Sequence, residues 1–117
     1  MHDFRRLHVW QQSRELAVAL NAVTRTFPRA DRSVVGGQLR RSALSVPANI
    51  AEGCGKSSRK ETIRFLEIAS GSAMETENHL LIAGDLGYLT PRACEGYTGS
   101  VIAVQRMLRS LIRNLPA

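Results

Sequence analysis

Apolar residues in this chain return every three or four positions, through four successive segments, and nowhere alternate with the period of a strand. At about 100° per residue, Val9, Leu16, Leu20, Val23 and Phe27 fall in one narrow stripe. Pro28, Arg29, Ala30 and Asp31 then interrupt it. A second stripe holds Val35, Leu39, Ala43, Val46 and Ile50, and Gly53 and Gly55 follow it. Such stripes must be covered by other helices, so the chain is confined to helix-on-helix packing.

The third segment opens at Ser58, with Glu61 three residues on, the spacing of a capping box. Its apolar residues, among them Ile63, Phe65, Leu66, Ile68, Leu80 and Leu81, spread around the helix, which implies burial against more than one neighbour. The fourth opens with Thr90-Pro91, a cap followed by proline where a missing amide costs least. Helices are therefore expected over about 9–27, 33–53, 58–85 and 90–114, with short connections. The expected fold is all-α: an antiparallel up-down-up-down four-helix bundle, with residues 1–117 as one domain.

The segment from Gln38 to Gly55, QLRRSALSVPANIAEGCG, carries the sharpest local puzzle. Pro47 cannot donate to the carbonyl of Ala43, so a bend is expected there, with Ser42 or Ser45 meeting the freed oxygen. Asn49 and Glu52 share a face and are expected to tie this helix to the next. A carboxylate near a helix C-terminus opposes the dipole, so Glu52 needs a partner, for which Lys56, Arg59 or the free amides opening the third helix are at hand. Gly53 is expected to supply the left-handed residue that stops the helix.

These residues also carry a resemblance. The blocks LHVWQQSRELA, QLRRSALSVPANIAEG, FLEIASGSAMETE and AGDLGYLT, in that order between about Phe4 and Ile112, resemble a bacterial four-helix-bundle family. Some members of that family are encoded within intervening sequences of 23S ribosomal RNA genes. The family is similar to accessory proteins of diversity-generating retroelements, which associate with a reverse transcriptase and nucleic acid. The resemblance implies a bundle that assembles into homo-oligomeric rings, typically pentamers, with no established biochemical activity.

Catalytic and metal chemistry lack their usual parts. Cys54 and Cys94 have neither CxxC spacing nor paired histidines, and the third helix should hold them ~35–40 Å apart, beyond disulfide reach. His2, His8 and His79 form no metal-binding pair; His79 stands one turn from Glu75. Glu67, Glu75 and Glu77 lack the Glu-x-x-His repeat of di-metal bundles. The expectation is a protein that is not an enzyme and has no cofactor and no metal. Without a leader-like or membrane-spanning apolar run, a cytoplasmic location is expected.

Charge supplies the functional clue. The net charge is +6, and 14 of the 16 cations are arginine, the side chain best suited to forked contacts with phosphate or carboxylate. Arg106, Arg109 and Arg113 fall within about 60° on the fourth helix, in a row roughly 10 Å long. A second group, Arg40, Arg41, Lys56, Arg59, Lys60 and Arg64, is expected around the junction of helices two and three. Nucleic-acid contact through these residues would be directed at the RNA or DNA backbone, because six aromatics leave few stacking platforms. The alternative is a scaffold or accessory subunit whose arginines grip an acidic protein partner. Val18, Leu44, Phe65 and Ile68 lie off the main stripes, either as core residues or as contacts to another copy.

Overall fold

The computed structural model describes residues 3–116. Four helices dominate it: α1 (His8–Val23), α2 (Val35–Cys54), α3 (Arg59–Asp85) and α4 (Pro91–Arg113). They form an elongated body of 47 × 22 × 20 Å, and no strand occurs among the described residues. The expected stripes point inward: Leu20, Phe27, Leu39, Ile50, Leu66, Leu80 and Leu108 are all 0 % exposed. Each such side chain contributes about 1.5–3 kcal/mol by leaving water, which is why the 3.6-residue period shapes the fold. The α2–α3 interface is the most extensive, and of the four neighbouring helix pairs α1–α4 is the least extensive.

The helix starts follow their local chemistry. Ser58 Oγ accepts the Glu61 amide at 3.1 Å, and Thr90 Oγ1 accepts the Ala93 amide at 3.1 Å. The Glu61 carboxylate does not return the bond to Ser58; its Oε1 accepts from Arg64 Nε at 3.4 Å instead. The first helix ends earlier than its stripe suggests. α1 gives way after Val23 to a tight turn over Thr24–Thr26, and Phe27 is extended, yet Phe27 still reaches the core and packs 5.3 Å from Tyr88. A stripe reports burial, and burial outlasts the helix.

The helix stop at Gly53 is corrected. Gly53 lies inside α2, buried, and no positive φ occurs there. A Cβ at this position would stand 3.2 Å from Phe65 Cβ and 3.3 Å from the Thr62 carbonyl oxygen, so glycine serves the close approach of α2 to α3. Thr62 Oγ1 uses that proximity to donate to the Gly53 carbonyl at 3.0 Å. The left-handed residue is Gly87, at φ +78°. There the Tyr88 amide donates to Ala83 O at 2.9 Å and the Gly87 amide to Gly84 O at 3.0 Å, closing the last turn of α3.

The surroundings of Pro47 also differ from expectation. Ser42 Oγ donates to Leu39 O at 3.2 Å, and Ser45 Oγ lies 2.8 Å from Ser72 Oγ on α3, so neither hydroxyl serves the Ala43 carbonyl. Asn49 does not reach the next helix: its Nδ2 donates to Ser45 O at 2.8 Å and Ser45 Oγ at 2.9 Å, one turn back. The tie between α2 and α3 is made instead by hydroxyls, with Thr76 Oγ1 donating to Ser42 Oγ at 2.9 Å beside the Ser45–Ser72 pair. Glu52 meets Lys56 at 3.9 Å, a long pair at the exposed end of the helix.

Candidate nucleic-acid interface

The arginine row of α4 is built by the helix that carries it. Val104 and Leu108 are buried, and Arg106, Arg109 and Arg113 occupy the opposite face, all exposed. None of the three stands within 4.0 Å of a carboxylate among the described residues. Their guanidinium groups are therefore presented to solvent as a set, about 10 Å from first to last along the axis.

The second group divides. Arg59 and Lys60, in the first turn of α3, are exposed and form no ion pair among the described residues. Arg59 borders a cleft that Leu111 and Asn114 also line, so the start of α3 and the last turn of α4 with Arg113 share one end of the bundle. Lys56 and Arg64 stand there too, engaged with Phe65: the Lys56 ammonium lies 4.9 Å and the Arg64 guanidinium 4.7 Å from its ring centre. Each also keeps a carboxylate, Glu52 for Lys56 and Glu61 for Arg64. Two cations on one ring cover an otherwise half-exposed Phe65, a contact of about 0.5–1 kcal/mol each at such sites.

Arg40 and Arg41 do not belong with these. They sit near the start of α2, and some 20 Å of helix separates them from its end. Arg40 Nη1 donates to Thr24 Oγ1 at 2.9 Å, clasping the turn that follows α1. Arg41 Nη2 donates to Gln38 Oε1 and, at 3.3 Å, to Glu75 Oε2 on α3. Glu75 also faces His79 Nε2 at 3.3 Å, the neighbour expected from their spacing. The expected junction group is thus two groups, because Arg40 and Arg41 lie in the second turn of α2, at the opposite end of that helix from Lys56, Arg59, Lys60 and Arg64.

The remaining titratable groups have structural surroundings. Burial pushes the Cys54 thiol up from its ordinary pKa, which keeps it protonated and poorly nucleophilic near neutrality. Both Cys54 and Cys94 are free thiols. The hydrogen bond from the Tyr88 hydroxyl to Asp31 raises the tyrosine's pKa above its usual value. The void at the bundle centre is about 10 Å³, bordered by Leu16, Val46, Val101 and Val104 with the hydroxyl-bearing Ser13 and Thr76. It has room for about one water. Among the described residues no three of His, Cys, Asp and Glu converge as metal ligands. His2 lies outside the described residues.

Sequence reading missed the Ser42–Thr76 and Ser45–Ser72 contacts and the bond from Gln105 Nε2 to Glu77 Oε1 at 3.0 Å. The signal was present: Ser42 and Gln105 fall on the inward stripes of their helices, where a polar residue must find a partner.

A sequence profile described as 23S rRNA-intervening sequence protein matches residues 5–110. The chain belongs to this family. It is similar to the crystal structure of a Bacteroides thetaiotaomicron protein of unknown function from the S23 ribosomal protein family. The two are 29% identical with a TM-score of 0.85, over 91% of this chain and 99% of that one. No curated protein matches the chain. Neither the family description nor the solved relative names a reaction. No helix among the described residues is long and apolar enough to cross a membrane.

Proposed function

We propose that this protein is a non-enzymatic, self-associating four-helix bundle that meets the phosphate backbone of RNA or DNA. Arg106, Arg109 and Arg113 carry the contact, with Arg59 and Lys60 extending it around the end of the bundle. The observation that carries the reading is that these five cations are exposed and free of carboxylates within 4.0 Å among the described residues. Arginines held in ion pairs would have to break them to bind phosphate; these would not.

In this reading the helices alternate in direction. The α2–α3 contacts Gly53–Thr62, Ser45–Ser72 and Ser42–Thr76 support it, one number falling as the other rises. Self-association, with a homopentameric ring as the proposed form, has its support in apolar side chains left outside the protomer's core. Val18 is 64 % exposed and Leu44 54 %, and Ile68, Met74 and Leu81 are also uncovered. Phe65 is the exception among the off-stripe residues, being sheathed by Lys56 and Arg64. A ring would repeat the arginine row and multiply weak phosphate contacts by avidity.

Binding of labelled duplex DNA and of structured RNA, measured by anisotropy across salt concentrations, tests the proposal. Four of the five cations engaging duplex phosphates at once predict a log–log slope of about −3.6. Absence of binding at low salt, or a flat salt dependence, refutes it. An acidic protein partner that stays bound after nuclease treatment, and is released by reversing the charge of the α4 row, would assign the same arginines to the scaffold role instead.

A further inference from the structure

A cleft of about 430 Å³ opens at the end of the bundle where α3 begins and α4 finishes. Its floor is aliphatic, made by Leu7, Leu111 and Leu115, each only half-buried. Its rim is polar and cationic, with Lys56, Ser57 and Arg59. We infer that this cleft is a docking site for a short acidic peptide segment of a partner protein, one that places an aliphatic side chain on the leucine floor and carboxylates against the rim.

Three features select that occupant. The volume lies within the range of pockets that bind small ligands, yet it opens at the surface, which suits a side chain with its backbone outside. The rim is unbalanced in charge. Arg59 has no carboxylate within 4.0 Å among the described residues, Glu61 is taken up by Arg64, and Glu52 reaches Lys56 only at 3.9 Å. None of the residues lining the cleft is aromatic. A nucleobase seated there would lack an aromatic stacking partner, a contact worth about 1–3 kcal/mol per base. An aliphatic side chain needs none. Arg59 is the one residue shared with the proposed phosphate contact; the leucine floor is not part of that contact, so reversing the α4 row or removing the peptide leucines tests each reading alone.

The full chain is titrated against a fluorescein-labelled peptide, Asp-Glu-Leu-Leu-Asp-Leu-Glu, with folding of every variant checked by circular dichroism. Saturable binding is expected. Arg59→Glu, or independently Ser57→Glu at the same exposed rim, should weaken it by about tenfold or more through charge repulsion. Replacing the peptide leucines with serine should abolish binding, because the floor then has nothing to cover it. The double variant Arg106→Glu/Arg109→Glu should retain peptide affinity within about twofold while losing nucleic-acid affinity. The inference is overturned if the peptide does not bind, if the serine peptide binds equally well, or if affinity follows the α4 row. Displacement of the peptide by a 5′-phosphorylated dinucleotide at lower concentration also overturns it, and assigns the cleft to nucleic acid.

Discussion

Arg40 and Arg109 begin from the same local circumstances. Each follows a leucine that is 0 % exposed, and each is therefore rotated by about 100° from the core. Arg40 nevertheless bends back onto Thr24 at 2.9 Å, while Arg109 has no ion pair among the described residues. The difference lies in the neighbouring backbone. Beside Arg40, the chain leaving α1 makes a tight turn at Thr24–Thr26 and brings a hydroxyl to the guanidinium. Beside Arg109 no carboxylate comes within 4.0 Å. An arginine's role here is set by what crosses its helix, and composition counts both kinds alike.

That comparison can be broken most severely by reversing the charge of the α4 row. The triple variant Arg106→Glu/Arg109→Glu/Arg113→Glu should reduce affinity for duplex DNA at low salt by about a hundredfold or more, since each lost phosphate contact removes attraction and each new carboxylate adds repulsion. Its urea midpoint should stay near that of the parent, because exposed substitutions usually change stability by within about 0.5 kcal/mol. A large shift in the midpoint would mean that the row is structural after all.

Arg40→Ala should do the opposite. Removing a charged donor from a part-buried hydroxyl is expected to cost about 1–2 kcal/mol in urea denaturation, with the salt slope of nucleic-acid binding unchanged. Loss of binding without loss of stability would return Arg40 to the interface. Arg41→Ala, whose pair with Glu75 is exposed on both sides, should cost less than about 1 kcal/mol. A single substitution, Arg109→Ala, sharpens the comparison further: the binding slope should become shallower by about 0.9.

The smallest effect is expected at alkaline pH, at the corner occupied by Phe27, Asp31 and Tyr88. The bond to Asp31 raises the Tyr88 pKa in the folded state, so the folded chain holds the phenolic proton more tightly than the unfolded one. The stabilisation is complete below the unfolded value of about 10 and is lost as pH rises through the raised one. Thermal unfolding followed from pH 8 to 11 should fall more steeply in the parent than in Tyr88→Phe. Equal slopes would show that this bond contributes nothing to the corner.

The two glycines teach the same lesson as the two arginines. Gly53, before Cys-Gly-Lys, carries the outward marks of a helix stop, and Gly87, between Leu86 and Tyr88, carries no fewer. The two are glycine for different reasons. At Gly53 another helix needs the space a Cβ would take, because Phe65 Cβ and Thr62 O crowd the position; at Gly87 nothing lies within 4 Å and the left-handed backbone is what favours glycine.

The amino-acid order alone determined the four helices, their caps at Ser58 and Thr90, their inward faces and the outward row on α4. Each of these depends on interactions within a few residues, or on a periodicity that needs no knowledge of the neighbour. The tertiary structure decided what a residue meets across a helix boundary: Arg40 on Thr24, Ser42 under Thr76, Phe65 between two cations, and the leucine-floored cleft at the bundle's end. Ser42 and Thr76 are 34 residues apart, and Asp31 and Tyr88 are 57 apart; only packing brings such positions within hydrogen-bonding distance.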